Sequence, residues 1–313
     1  MSATLSEHLD YLSDAVRLQR FRQAIAQAVR PGDVVVDLGC GFGVLGLMCL
    51  EAGAARVYGI ERGAAIEVAR ETVARAGYAD RYHCIRENSL RVDLPERADV
   101  VICDHVGCFG FDYGIIEILA DARRRFLKPG GTIIPGRIDL RIAGITSQAG
   151  RDVAFAWDKP QIPAQFHWLV RHSINAKHTL VYQAGDVVTD EVTLGSLDLL
   201  HDIPDSFRFT AELTAQSDGM LDGLGGWFDC EVVPGLRMTN SPLSPDCINR
   251  RQVFLAFERA MPVTAEDRVR VTIAVRHDAF VIAWSAENLR TGEKRKHSTW
   301  QGQILGQPAA IAG

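Results

Sequence analysis

The amino-acid sequence predicts an α/β domain built on a parallel sheet, followed by a mainly antiparallel β domain. The 313 residues exceed the usual size of a single hydrophobic core, so two domains are expected. Strand and helix patterns alternate as far as Pro135, which is typical of a parallel sheet with helices on both faces. Segments rich in β-forming residues then follow without helical periodicity. We therefore place the domains at residues 1–135 and 136–313.

A single helix is predicted at the start of the first domain. Apolar side chains recur at helical spacing between Leu9 and Val29, and the Pro31-Gly32-Asp33 turn ends the helix. Short apolar runs then predict strands at Val34–Asp37, Val57–Glu61, Tyr82–Ile85, Asp99–Asp104 and, after a turn at residues 128–131, Thr132–Ile134. Helical patterns between these strands predict one helix that ends near Ala52 and two more at Ala64–Ala76 and Ile115–Phe126.

The second domain is predicted from six segments of alternating or clustered β-forming residues. These are Ile138–Ile145, Ser206–Thr214, Gly226–Val233, Gln252–Phe257, Arg268–Val275 and Phe280–Ser285. The stretch Gly150–Val187 fits neither half, because Trp157, Phe166 and Trp168 stand among polar residues. We expect this stretch to be an arm that contacts a second subunit.

Composition excludes several classes of function. The net charge of −5 is unlike that of a nucleic-acid binder, and no apolar run approaches the ~20 residues that span a bilayer. The first ten residues lack the pattern of a secretory signal, so a cytoplasmic protein is expected. The seven cysteines form no CxxC pair, which argues against a disulfide framework and a metal site.

The strand at residues 34–37 ends in a glycine-rich loop that contains Gly39, Cys40, Gly41 and Gly43. Such a loop lets a ligand approach the backbone at the start of a helix. Residues 41–46 match the dinucleotide pattern GxGxxG, but a lone match is weak. A carboxylate at Asp37 would repel a pyrophosphate, whereas it suits the ammonium and sulfonium of S-adenosylmethionine. The alternative role for Asp37 is a helix N-cap.

Glu61 closes the second strand, where an acidic side chain can accept hydrogen bonds from both ribose hydroxyls. A solvated strand end is the alternative interpretation of this residue. The loop, Asp37 and Glu61 together predict that the cofactor is S-adenosylmethionine.

Residues 8–17, HLDYLSDAVR, resemble the HxxMLxDxxR helix of the protein arginine methyltransferases. The resemblance implies that Arg17 pairs with the methionyl carboxylate of the cofactor, and that His8 and Asp14 line the same end of the pocket. Residues 226–229 and 239–245 are similar to the barrel segment of that family. The implied architecture is a Rossmann-like class I methyltransferase domain, a β-barrel-like domain and a dimerisation arm, and therefore a homodimer.

The resemblance also implies that Ser89 and Leu90 contact adenine, although Leu90 replaces an acidic residue of the family. It weakens at residues 104–114, DHVGCFGFDYG, where the family has a hairpin flanked by two glutamates that hold the substrate guanidinium. Asp104 stands at the first position and Tyr113 at the second, with Asp112 adjacent as a substitute. The Thr-His-Trp triplet of the family is replaced by residues 247–249, CIN. The acceptor site is therefore degenerate with respect to the family.

These changes favour methyl transfer to a nitrogen or oxygen of a small-molecule or peptide acceptor that is neutral or singly charged. Asp104 and His105 are the expected bases, and histidine titrates near neutral pH. A structural role for His105 and simple packing for Tyr113 are the alternatives at those positions. Two other functions remain open: protein arginine methylation with Asp104 and Asp112 as the acidic pair, and a catalytically silent scaffold that binds the cofactor.

Overall fold

The computed structural model describes residues 3–303, and it begins with two helices rather than the single helix predicted. Helix α1 spans Ala3–Ser13 and α2 spans Ala15–Ala28. The break falls at Asp14, whose side chain accepts a hydrogen bond of 3.1 Å from the backbone N–H of Arg17 and so caps α2. A capped start fixes Arg17 in the first turn of α2.

The first sheet contains five parallel strands in the order β3-β2-β1-β4-β5, as predicted for an α/β domain. The strands are β1 (Val34–Leu38), β2 (Arg56–Ile60), β3 (Tyr82–Ile85), β4 (Ala98–Cys103) and β5 (Leu127–Ile134). The helices between them are α3 (Val44–Glu51), α4 (Ala65–Arg75) and α5 (Ile115–Arg125). All five residues of β1 are buried, which is typical of a central parallel strand. Strand order reverses between β1 and β4, and ligands bind at such a point in open α/β sheets.

One predicted turn is part of a strand instead. Residues 128–131 belong to β5. They lie between two cross-strand pairs, Ala98 with Leu127 and Val100 with Thr132. The extra residues occupy a register shift, so the Pro-Gly-Gly sequence interrupts the pairing without ending the strand.

The second half of the chain forms two antiparallel sheets. The strands are β6 (Arg137–Ile145), β7 (Lys177–Leu180), β8 (Val192–Asp198), β9 (Ser206–Thr214), β10 (Gly219–Val233), β11 (Leu236–Thr239), β12 (Gln252–Val263), β13 (Arg268–Arg276), β14 (Val281–Asn288) and β15 (Lys294–Ser298). One sheet has the order β7-β12-β10-β6-β8, with β11 paired to β10, and the other has the order β15-β14-β13-β9. Because β8 lies beside β9 and β12 beside β15, the two sheets enclose a β-barrel-like core.

The stretch predicted as an arm is largely helical. It contains α6 (Gln148–Ala154), α7 (Val170–Ile174), three short 3₁₀ turns and strand β7, and α8 (Thr299–Gly302) packs against α7. Trp157, Phe166 and Trp168 are all exposed on it. None of the helices within residues 3–303 combines the length and apolar character needed to cross a bilayer.

Helix α2 packs against β10 and β11 of the second half as well as against α3. One continuous hydrophobic core therefore joins the parallel sheet to the barrel-like sheets. This contact brings the start of α2 close to the carboxyl ends of β1 and β4, where the candidate site lies.

Candidate functional site

The glycine-rich loop connects β1 to α3 at the carboxyl edge of the parallel sheet. Gly39 and Gly41 have φ angles of +65° and +52°, in the left-handed region that favours glycine. A Cβ added at Gly39 would lie 2.0 Å from Nε2 of His105, and one at Gly41 would lie 2.6 Å from Nε2 of His8. Both imidazole rings therefore rest directly on the loop. Gly43, with φ +81°, is the last residue before α3.

Asp37 lies beneath this loop rather than at its mouth, where the sequence analysis placed it. The side chain is 1% exposed, and its Oδ2 accepts hydrogen bonds from the N–H of Gly46 at 2.9 Å and the hydroxyl of Tyr82 at 3.2 Å. Burial raises the pKa of Asp37 to about 7. Cys40 also turns inward, because its buried thiol packs with Ile66 of α4, so only its backbone belongs to the loop surface.

The next predicted contacts lie at the ends of β2 and after β3. Glu61 follows β2 directly and remains partly exposed, and its Oε1 accepts a hydrogen bond of 2.6 Å from the N–H of Gly63. Ser89 and Leu90 form a short 3₁₀ turn, and Arg125 donates a hydrogen bond of 2.7 Å to the carbonyl of Ser89. Leu90 is 49% exposed, so an apolar side chain lies at the position predicted to contact adenine.

Arg17 projects from the first turn of α2 into the interior and forms an ion pair with Asp104 at the end of β4. Its guanidinium carbon lies 4.1 Å from the ring centroid of Tyr11. Desolvation lowers the pKa of Arg17 to about 10, so the side chain is still protonated at neutral pH. Asp14 joins the same cluster to the barrel-like half, because its Oδ2 accepts a hydrogen bond of 2.7 Å from the N–H of Asn249.

The buried polar atoms of this cluster fit the polar part of S-adenosylmethionine. Within the part of the chain that the structure describes, Nε of Arg17 and both oxygens of Asp104 are buried and make no hydrogen bond besides the ion pair. A buried guanidinium with a free donor suits a carboxylate, and a carboxylate with free lone pairs suits an N–H or O–H group. His8 stacks on Phe42 of the loop at a centroid distance of 4.0 Å and covers the same end.

Asp112 and Tyr113 are the two candidates for the second position of the acceptor hairpin (residues 104–114), and their side chains point to different places. Asp112 is turned into the hairpin, where its Oδ1 accepts a hydrogen bond of 2.8 Å from the N–H of Phe109 and its Oδ2 pairs with Lys177 of β7. Its side chain is only 4% exposed. Tyr113 is 45% exposed, and its hydroxyl lies 3.6 Å from Sγ of Cys108. Tyr113, and not Asp112, therefore presents its side chain at the hairpin surface.

His105 belongs to the acceptor hairpin, and its ring rests on the glycine-rich loop at Gly39. Desolvation lowers the pKa of His105, and the nearby cation of Arg250 lowers it further, while Glu61 opposes this effect. The imidazole is therefore neutral at pH 7 and able to accept a proton. No group of three or more His, Cys, Asp or Glu side chains within residues 3–303 is arranged to hold a metal ion.

One functional candidate was missed in the sequence, namely Arg250. Its Nη1 donates a hydrogen bond of 2.6 Å to the carbonyl of Val106, and its Nη2 donates one of 2.6 Å to the hydroxyl of Tyr11. Its guanidinium carbon lies 5.5 Å from the ring centroid of Tyr113. The only signal in the sequence was that Arg250 directly follows the changed triplet at residues 247–249. Nothing in the spacing indicated that its side chain would reach the hairpin.

Comparisons with known proteins agree with this fold. Residues 21–162 match the family described as ribosomal protein L11 methyltransferase (PrmA). The chain is 28% identical to the probable protein arginine N-methyltransferase 6.2 of Oryza sativa subsp. indica, over 77% of the chain and 64% of the relative. It is 27% identical to protein arginine N-methyltransferase 1 of Saccharomyces cerevisiae, over 71% of the chain and 65% of the relative. The matched region thus spans slightly under two thirds of these relatives.

Two solved structures share the fold over nearly the whole chain. The Trypanosoma brucei PRMT1 enzyme-prozyme heterotetrameric complex with AdoHcy gives a TM-score of 0.82 at 23% identity, covering 93% of this chain and 96% of that one. Arabidopsis thaliana protein arginine methyltransferase 10 gives 0.78 at 20% identity, covering 94% and 98%.

By fold and by the comparisons, the chain is similar to class I S-adenosylmethionine-dependent methyltransferases, whose cofactor is S-adenosylmethionine. In particular it is protein arginine methyltransferase-like, and its Rossmann-like half precedes its β-barrel-like half along the chain. The predicted fold class and the predicted resemblance are confirmed.

Proposed function

We propose that the protein transfers a methyl group from S-adenosylmethionine to a nitrogen or oxygen of a small-molecule or peptide acceptor other than an arginine guanidinium. One observation carries this proposal: a tyrosine stands at the hairpin surface where the family has a second glutamate. Asp112, the adjacent carboxylate, is already bound to Lys177 and to the N–H of Phe109. Asp104 is then the one hairpin carboxylate directed at the cofactor end.

The energetic consequence is large enough to change acceptor preference. A guanidinium is a planar cation whose five N–H donors are best matched by two carboxylates. Loss of one charge-assisted partner in a dry site costs about 1.5–3 kcal/mol, or a factor of about 10–150 in affinity. The hydroxyl of Tyr113 does not replace that charge, because burial raises its pKa further and keeps the phenol neutral.

The cofactor supplies an activated methyl group on a sulfonium, so the protein contributes alignment and removal of the acceptor proton. Arg17 would hold the methionyl carboxylate, Glu61 the ribose hydroxyls, and the turn at Ser89 and Leu90 the adenine. His105 is neutral at pH 7 and would take the acceptor proton at a ring nitrogen, with Asp104 as the neighbouring negative charge.

A methylation assay with labelled S-adenosylmethionine tests this assignment on Arg-Gly-rich peptides and on a panel of neutral amines, heteroaromatic nitrogens and phenols. We expect transfer to one of these nitrogen or oxygen acceptors, whether or not it also carries an anionic group, a loss of turnover in Tyr113→Phe and little transfer to the peptides. Efficient peptide methylation that Asp112→Ala abolishes and Tyr113→Phe leaves intact would overturn the proposal.

Protein arginine methylation is the second candidate, and the names of the rice and yeast relatives favour it. It would require Asp112 to exchange Lys177 for a substrate guanidinium. Under this candidate, Lys177→Ala should increase peptide methylation because it releases the carboxylate. Under the first proposal, the same variant should leave peptide methylation at background.

A catalytically silent scaffold is the third candidate, and one observation favours it: a structural neighbour is described as an enzyme-prozyme complex. Calorimetry separates this candidate from an enzyme. Tight binding of S-adenosylhomocysteine combined with no labelled product from any acceptor or extract would favour the scaffold. Turnover with any acceptor excludes it.

We further propose that the protein is a cytoplasmic homodimer whose arm forms the interface. Trp157, Phe166 and Trp168 are exposed together on the arm, and large apolar groups at a surface often mark an interface between subunits. Light scattering should give twice the monomer mass for the wild type. Trp168→Glu should shift the mass toward the monomer, whereas Leu200→Glu, at an exposed apolar position after β8, serves as the control.

A further inference from the structure

Within the described part of the chain, residues 3–303, the positive charge of Arg250 is not paired with a carboxylate. Its two hydrogen bonds go to the carbonyl of Val106 and the hydroxyl of Tyr11, which are both neutral acceptors. Among residues 3–303, no carboxylate oxygen lies within 4.0 Å of its guanidinium nitrogens. The side chain links the acceptor hairpin to α1, so the charge is held at the acceptor site.

Two other cations near the hairpin are paired with carboxylates. Arg17 pairs with Asp104, and Lys177 pairs with Asp112. The second of these pairs lies on the far side of the hairpin, toward β7. Arg250 differs from these two cations because it has no carboxylate partner among residues 3–303. Burial lowers the pKa of Arg17 and of His105, and the positive charge of Arg250 lowers both further.

Arg250 retains the chemistry needed to bind a ligand. A guanidinium has five N–H donors in a fixed fork, and the two bonds to Val106 and Tyr11 leave further donors for a bidentate partner. The residue is only partly buried, so a ligand can reach it. A guanidinium fork is matched by the oxygens of a carboxylate or a phosphate, whereas a second cation in the same space is repelled.

We propose that the methyl acceptor carries an oxyanion group, a carboxylate or a phosphate, that binds Arg250 while another atom of the same molecule receives the methyl group. An oxyanion bound to arginine is a weakened nucleophile, so the acceptor atom is a nitrogen or hydroxyl directed at His105 and Asp104. That atom forms the bond to the methyl carbon as the bond to the sulfonium sulfur breaks, and its proton passes to His105. This inference rests on the proposed function and narrows it to anionic acceptors.

The test uses the whole protein, tritiated S-adenosylmethionine and a deproteinised cell extract as the source of acceptors. Labelled products are separated at pH 8 on an anion exchanger, and a phosphatase-treated portion distinguishes phosphates from carboxylates. We expect label in the retained fraction. Arg250→Gln, which keeps N–H donors for Val106 and Tyr11, should lower that label by about tenfold or more. Arg251→Gln removes a neighbouring exposed arginine and should leave the label unchanged.

Two further measurements separate recognition from a structural role. Affinity for S-adenosylhomocysteine should be the same in the wild type and in Arg250→Gln, and the loss of turnover should lie in the KM for the acceptor. If Arg250→Gln does not fold, Arg250→Lys preserves the charge without the fork and should also raise the KM. Label confined to unretained or cationic products, or unchanged label in a folded Arg250 variant, would overturn the inference. Complete absence of label in the wild type would instead overturn the proposed methyl transfer, and this inference with it.

Discussion

Arg17 and Asp104 form a buried ion pair that joins the first turn of α2 to the carboxyl end of β4. Both side chains are less than 10% exposed, so neither charge is well hydrated. Burial lowers the pKa of Arg17 while Asp14 and Tyr11 oppose that effect, and the cation is retained at neutral pH. The pair therefore holds the acceptor hairpin against the N-terminal helices, in addition to its proposed role toward the cofactor.

Asp104→Ala should destabilise the protein by about 3–5 kcal/mol, because it leaves the guanidinium of Arg17 buried without its carboxylate partner. Urea unfolding measures this change. Saturating S-adenosylhomocysteine should restore part of the loss, because its carboxylate can pair with Arg17 and a ligand stabilises the state that binds it. Glu67→Ala, which breaks an exposed pair with Arg70, is the control and should cost less than about 1 kcal/mol. Equal unfolding of the two variants would contradict the prediction.

Glu61→Ala should weaken binding of S-adenosylhomocysteine by about 10–150-fold, because it removes the charged acceptor proposed for the two ribose hydroxyls. Isothermal calorimetry measures the affinity directly. Glu51→Ala removes an exposed carboxylate at the far end of α3 and should leave the affinity unchanged. An unaltered dissociation constant in Glu61→Ala would mean that the ribose binds elsewhere.

Much of the fold follows from patterns within single segments of the sequence. The runs of valine and isoleucine in β1 and β4 and the alternation after Pro135 depend on neighbouring residues only, and the two halves were predicted correctly. The break between α1 and α2 was missed because hydrophobic periodicity continues across Asp14. A side chain that caps a helix interrupts the backbone without interrupting the pattern of apolar residues.

Candidate site residues could be proposed from the sequence where a motif names them, and not where only tertiary structure brings residues together. The glycine-rich loop was proposed from its glycine spacing, and Arg17 was proposed from the resemblance of residues 8–17 to the family's helix. Arg250 lies 144 residues from Val106 along the chain, and no periodicity connects the two. The orientation of Asp112 depends on Lys177, 65 residues away, in a segment that matched neither predicted domain. Charge pairing between distant segments is decided by packing and is not encoded in a local pattern.

The pair between Asp112 and Lys177 yields a prediction that does not depend on knowing the acceptor. Asp112→Ala should lower stability by about 3 kcal/mol, because it removes a nearly buried carboxylate that binds both Lys177 and the N–H of Phe109. Tyr113→Phe should change stability by less than about 0.5 kcal/mol, because its hydroxyl makes only a long contact with Cys108. Thermal unfolding of the two variants and of Lys177→Ala measures these effects. If Asp112→Ala is as stable as the wild type, the carboxylate is free to face the acceptor.

Asp37 gives the protein a pH dependence whose sign follows from its environment. Burial raises its pKa in the folded state to about 7, from 3.8 for an unperturbed aspartate. As pH rises, the unfolded chain therefore loses this proton at a lower pH than the folded protein does. The stability that this group contributes is fully present below about pH 4 and is lost as pH rises to about 7. The loss is on the order of 4 kcal/mol, at 1.36 kcal/mol for each unit of pKa difference.

Asp37→Asn should remove this dependence, because the amide oxygen can still accept a hydrogen bond from Gly46 and does not ionise over this range. Urea unfolding of both proteins at pH 5 and pH 8 measures the difference, and the variant should be the more stable at pH 8. The carboxylate also lies directly beneath the loop that we propose receives the cationic cofactor, so binding of S-adenosylmethionine at pH 7 should favour its ionised form and release a proton. Calorimetry in two buffers with different ionisation enthalpies detects that proton in the wild type and not in Asp37→Asn. If the stability of the wild type and of Asp37→Asn changes equally with pH, and both release the same number of protons on binding, Asp37 is ionised throughout and the released proton comes from another group.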